Sequence, residues 1–189
     1  MPAWILREMG HFVHPWYVAG GWALDLFVGA QSRAHADVDV ALFREDQVAL
    51  LTALPSWSFV NVVNRQMHPW SPAEYLQPPV HELHASRGED RLEFLLNERT
   101  DDTWVFRRDA RVTLPLRRLG GTSAQGVPYL APEVVLLYKA KAPKLVDEAD
   151  FSRVAPKLSS AGREWLTSAL ARCDPGHRWH TALVGSHGV

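Results

Sequence analysis

The stretch GGWALDLFVGAQSRAHADVDVAL, residues 20–42, decides the fold. Its end alternates Asp37-Val38-Asp39-Val40, the pattern of a strand with two unlike faces. Valine favours strands, whereas carboxylates are depleted from them and costly to bury unpaired. Side chains two positions apart on a strand point the same way. Asp37 and Asp39 are therefore expected on one face, with Val38 and Val40 holding the other face to the core. Upstream, Gly20-Gly21 stops a brief strand signal at Trp16–Ala19, and a helix is expected over Trp22–Val28 with Gly29 as its stop.

Two carboxylates this close repel each other unless a cation sits between them. A divalent ion with hard oxygen ligands is the natural remedy, and Mg2+ is the usual candidate. A water-facing edge strand would be the favoured account of the pair if it stood alone. A second carboxylate interrupts another apolar run, RLEFLLN at residues 91–97, where Leu92, Phe94 and Leu96 share one face and Glu93 and Leu95 the other. If that strand lies beside the first, three carboxylates converge, as in sites holding two ions about 3.5–4 Å apart. Glycines between a strand and a helix also let a phosphate approach the backbone at a helix N-terminus, which attracts anions.

The chain has 189 residues, 47% of them apolar and 22% charged, with a formal net charge of −1. That length supports one core, or one core with a small helical appendage, and the charge gives no sign of a nucleic-acid-coating or membrane-surface protein. The single cysteine, Cys173, excludes an intramolecular disulfide and fits a reducing compartment. No apolar run approaches the ~18 residues of a membrane span, and MPAWILREMGHF lacks a signal-peptide layout. A cytoplasmic location is the expectation.

Along the rest of the chain, short helices are expected over residues 3–12 and 46–54, the second ended by Pro55. Strands are expected at 58–64, 80–85 and 91–96, the last two joined by the turn SRGED. The Pro-, Trp- and His-rich run 67–79 reads as a loop, and 103–116 as short extended pieces. A helix is expected over 132–142, with Pro132 at its first turn and Glu133 beside it, and further helices over 149–154 and 159–173. The expected class is α+β: a mixed β-sheet with flanking helices and a small C-terminal helical part. The expected divisions are an α/β domain at 1–127, a helical part at 128–175 and a loosely ordered tail at 176–189.

The combination GGWALD, then RxHxDVDV from Arg33 to Val40, resembles the nucleotidyltransferases of the DNA polymerase β superfamily. More narrowly, it resembles the branch containing aminoglycoside 2''-adenylyltransferases and lincosamide nucleotidyltransferases. WVFRRD at 104–109, YLAPEVVLLYKAK at 129–141 and DEADF at 147–151 extend the likeness over about residues 16–156. The resemblance implies a polymerase β-like fold and transfer of a nucleoside monophosphate, AMP above others, from an NTP to a hydroxyl, releasing pyrophosphate.

In that reading Asp37, Asp39 and Glu93 are the catalytic and metal-binding carboxylates, holding two Mg2+ ions, with Glu93 a ligand or the base. Gly20, Gly21, Arg33 and Lys139 are the nucleotide-binding candidates. Arg33 either contacts phosphate or pairs with Asp25; His35 either orients Asp37 or fills the turn. Arg107, Arg108 and Asp109 read as a structural ion-pair set rather than a substrate contact. Many superfamily members carry a phosphate-contacting serine where this chain has Trp22, so nucleotide grip is expected from backbone amides and other side chains.

The expected partners are ATP or another NTP and a hydroxyl-bearing small molecule such as an aminoglycoside or lincosamide; no membrane is expected, and nucleic acid, less favoured, and a homodimer stay open. Rival readings are a nucleotidyltransferase acting on tRNA or protein, a non-catalytic nucleotide-binding module, and a metal-dependent hydrolase built on HADVD.

Overall fold

A computed structural model describes residues 4–63, 66–71 and 73–185. Ten strands form its sheet: β1 (Trp16–Val18), β2 (Val38–Phe43), β3 (Ser58–Val63), β4 (Gln66–Pro69), β5 (Glu82–Arg87), β6 (Asp90–Thr100), β7 (Thr103–Val105), β8 (Thr113–Pro115), β9 (Gly120–Thr122) and β10 (Pro128–Leu130). Seven α-helices accompany them: α1 (Ile5–Glu8), α2 (Gly20–Val28), α3 (Ala49–Ala53), α4 (Pro132–Lys139), α5 (Leu145–Val154), α6 (Ser160–Cys173) and α7 (Arg178–Gly185). The mixed α+β class and the flanking helices are as the sequence predicts.

The main path of the sheet runs β4-β3-β5-β6-β2-β1-β10-β9, with β7 and β8 continuing from β6. β2 is interior: it runs antiparallel to β1, with Val40 opposite Val18, and parallel to β6. Its alternation sorts two cores. Val38, Val40 and Leu42 join Leu92, Phe94 and Leu96 with Ile5, Met9 and Leu50 on one face. Ala41 and Phe43 meet the other cluster, in which α4, α6 and α7 supply Val134, Leu166, Leu170 and Trp179. α4 is buried from Pro132 through Leu137, as expected of a helix apolar on nearly every side.

Several expectations are corrected. The run 67–79 is not all loop: Met67 pairs with Val62, making β4 an edge strand whose side chains are all exposed. Edge position suits its proline, because no neighbouring strand needs the missing N–H. Pro72 and Asn64 lie outside the described residues. The helix expected over 46–54 is a 3-10 turn at Arg44–Asp46 followed by α3, and the one expected to Ala142 ends at Lys139. α5 begins at Leu145, four residues early, where Asp147 accepts from the Lys144 backbone N–H at 2.9 Å. The segment read as a loose tail is helical over Arg178–Gly185: Trp179 is buried and stacks on Phe151, with centroids 4.4 Å apart. Residues 186–189 lie outside the described residues. Among those described, no helix is long and apolar enough to cross a membrane.

Candidate active site

The site begins where β1 turns into α2. The Ala19 N–H donates to the Asp39 carbonyl at 2.8 Å, tying the strand end to β2. Gly20 follows with φ +57°, and a Cβ there would lie 1.8 Å from Asp39 Oδ2. Only glycine both takes that conformation and leaves space for the carboxylate. At Gly21 a Cβ would fall 2.5 Å from His35 Cε1 and 2.6 Å from an Arg33 guanidinium nitrogen. The two glycines are thus required by the residues that close in on them, and the closest of those is the second aspartate.

Parallel pairing of β2 and β6 places Asp39 directly opposite Glu93. This is the juxtaposition that the sequence reading made conditional on strand pairing. Asp39 lines a cleft of about 270 Å3 with Gly20, Leu95, Arg107, Arg108, Tyr138 and Lys139 among its walls. Burial, then the charges of Glu93 and Asp37, push the Asp39 carboxyl up to about 7. Glu93 is also raised, by burial and then by Glu82 and Asp37. Asp37 is exposed and sits in the bend just before β2 rather than on the strand, and its charge acts on both Asp39 and Glu93.

Among the described residues, no three histidine, cysteine or carboxylate groups close into a ready-made coordination cage. The donor set is nonetheless what a hard divalent cation takes: carboxylate oxygens, two of which burial and neighbouring negative charge hold above their usual range. The trio therefore fits such an ion by chemistry and by charge.

Behind the glycines lies a second ionic assembly. Asp25, on α2, is wholly buried and accepts from the Ser32 N–H at 3.2 Å and the Ser32 hydroxyl at 2.8 Å. Its Oδ2 is 2.7 Å from His35 Nε2, and its Oδ1 accepts from Arg153 of α5 at 2.7 Å. Together these partners hold the Asp25 carboxyl below its usual range despite burial, which opposes them. Arg153 also lies 3.5 Å from Asp150, which in turn is 3.2 Å from Lys139 Nζ. Lys139 donates to Asp147 at 2.5 Å as well. Asp25 thus pairs with His35 and Arg153, and not with Arg33.

Arg33 donates from Nη1 to the Ala34 carbonyl at 3.1 Å, while its buried Nε has no protein partner among the described residues. Of the predicted residues, Gly20, Asp39 and Lys139 line the one cleft and Glu93 adjoins Asp39 in register. Gly21 and Arg33 meet behind Gly20. The sequence reading missed Arg153 and Tyr138, and set Arg107 and Arg108 aside as structural. Asp109 instead bonds Arg111, at 2.7 and 2.9 Å, which leaves the two arginines to the cleft.

Solved structures of the same fold span nearly the whole chain. The crystal structure of ANT(2'')-Ia in complex with adenylyl-2''-tobramycin is 15% identical, covering 89% of this chain and 94% of that one, with a TM-score of 0.62. A solution structure of ANT(2'')-Ia gives 17% identity, coverage of 97% and 92%, and a TM-score of 0.57. The lincomycin-bound lincosamide antibiotic adenylyltransferase LnuA gives 15%, 80% and 92%, and 0.56. A comparison with curated protein sequences found no significant match. The family model of aminoglycoside-2''-adenylyltransferases matches residues 4–154, from before α1 to the end of α5, and so takes in the glycine turn, all three carboxylates and the Lys139–Arg153 network. The chain belongs to this family and is a nucleotidyltransferase.

Proposed function

We propose that the protein transfers AMP from ATP to a hydroxyl of a small-molecule antibiotic, releasing pyrophosphate. The observation that carries this reading is the Asp39–Glu93 pairing across β2 and β6, set against Gly20 at the mouth of a helix. In the reaction the acceptor oxygen forms a bond to the α-phosphorus, the bond from that phosphorus to the bridging oxygen of the β-phosphate breaks, and the hydroxyl proton leaves. Glu93, with its raised pKa, is the base assigned to that proton. Asp37, Asp39 and Glu93 would hold divalent Mg2+, two ions in the fullest case, which when bound neutralises the triphosphate.

Gly20 and Gly21 present backbone N–H groups at the start of α2, where a phosphate is favoured. Arg33, whose buried Nε has no partner among the described residues, extends that cradle. Lys139 reaches the cleft already paired with Asp147 and Asp150, so it serves as a fixed rather than a swinging cation. The acceptor class rests on the family and on the relatives' bound tobramycin adduct and lincomycin.

The test is pyrophosphate release from ATP with Mg2+, using separate pools of aminoglycosides, lincosamides and tRNA, beside the Asp37→Asn/Asp39→Asn double variant. Release with a small-molecule pool, lost in the double variant and after chelation, is the expected result. Release with tRNA alone would replace the acceptor, and metal-independent release would remove the carboxylates' role.

A further inference from the structure

We propose that Arg107 and Arg108 form an oxyanion-binding pair in the cleft, recognising a phosphate or carboxylate group. Both side chains line the cleft that contains Gly20, Asp39 and Lys139. Both guanidinium groups lie against one face-forming ring, Tyr138, at 5.7 and 5.3 Å from its centroid, and Arg108 also approaches Phe106 at 5.8 Å. Arg108 Nη1 donates to the Tyr138 carbonyl at 3.0 Å. Stacking on aromatic faces fixes a planar guanidinium while leaving its in-plane N–H groups free to fork onto an oxyanion.

The charge balance points the same way. Lys139, the other cation of the cleft, is already neutralised by Asp147 and Asp150. Arg107 has one carboxylate, Glu82, at the 4.0 Å limit of an ion pair, and Arg108 has no ion pair among the described residues. The next residue in the chain, Asp109, is turned away onto Arg111. Two adjacent like charges on one ring, with one distant counter-charge between them, raise each other's energy. Burial together with Arg107 accordingly lowers the Arg108 pKa. An anion relieves that repulsion, and a polycation placed there would add to it.

Two molecules could bring the oxyanion: the nucleotide, through its phosphates, or an acceptor that carries an acidic group. The proposal rests on the nucleotidyltransferase reading only for this source, because binding of an anion to the pair requires no transfer. Inorganic pyrophosphate is titrated calorimetrically into the full chain without divalent metal, for wild type, Arg107→Gln, Arg108→Gln, the double variant and the Arg107→Lys/Arg108→Lys variant. Arg107→Gln removes the 4.0 Å contact to Glu82 and the approach to the half-buried face of Tyr138, both at the cleft wall, so the melting profile of each variant is recorded beside its titration.

The expected result is at least a fivefold weakening in each glutamine variant and partial recovery with lysine. Unchanged affinity in the double glutamine variant, with a normal melting profile, would overturn the pair. A non-hydrolysable ATP analogue with Mg2+ then separates the sources. If the double variant weakens the analogue as much as pyrophosphate, the nucleotide supplies the anion. If the analogue is unaffected and pyrophosphate still binds the analogue-saturated wild type, an acidic acceptor does. Analogue binding that is absent in wild type would sink the nucleotidyltransferase reading and leave the anion pair standing.

Discussion

Asp39 is held in a state that folding alone does not favour. Its carboxyl is pushed up to about 7, so the metal-free native chain binds a proton there that the unfolded chain releases near 4. The native state is therefore favoured by this group below pH 4, and that contribution is lost as pH rises through 7. Asp39→Asn removes the ionisation. We expect it to raise the melting temperature of the metal-free protein at pH 7.5 by several degrees, from a difference on the order of 2–4 kcal/mol, and to leave it unchanged at pH 3.5. Transfer activity should fall at least a thousandfold in the same variant, so calorimetry and turnover move in opposite directions. Gly20→Ala tests the same spot from the other side. Its methyl would meet Asp39 Oδ2 at 1.8 Å with φ at +57°, and we expect a loss of at least a hundredfold in kcat/KM.

At the scale of elements, the Asp25–Arg153 contact is the staple that fixes α5 to α2. Arg153→Met should destabilise the fold by about 2 kcal/mol, since Asp25 keeps Ser32 and His35 but loses its cation. Denaturant melts of Arg153→Met beside Arg153→Lys check it, with lysine expected to recover at least half. What could be read beforehand follows the same division between near and far. The strand–glycine–helix–strand run of residues 16–43 was legible because glycines, alternation and the apolar helix face are local signals. The Asp39–Glu93 pairing could be stated only conditionally, since parallel register depends on how distant strands dock. The Asp25–Arg153 pair spans 128 positions and left no periodic trace in the sequence. Lys139 was found, but its neutralisation by Asp147 and Asp150 depends on the turn between α4 and α5. β4 was hidden because proline and histidine lower strand propensity, and only pairing with β3 overrides them.

Over the whole molecule, the last described helix is part of the core rather than an addition to it. Trp179 is 1% exposed, stacks on Phe151 and donates from its indole to Glu148 at 2.9 Å. Trp179→Ala should cost about 3–5 kcal/mol, read as a lower denaturation midpoint, and removal of residues 176–189 at least as much. The composition of that segment, with its glycines and histidines, concealed one anchoring aromatic.

The register that seats Asp39 opposite Glu93 also has a consequence in time. The two lie 54 positions apart, so the carboxylates meet only when β6 docks beside β2. That docking joins strands far apart in the sequence, which is slow to close, and it drives like charges together as it proceeds. Refolding should therefore quicken when Mg2+ is added or the pH is lowered towards 5, and stopped-flow refolding of Asp39→Asn should show neither acceleration. A nascent chain released before residue 93 would carry both aspartates without the carboxylate that β6 sets opposite Asp39, so the three charges come together only with the closing of the sheet.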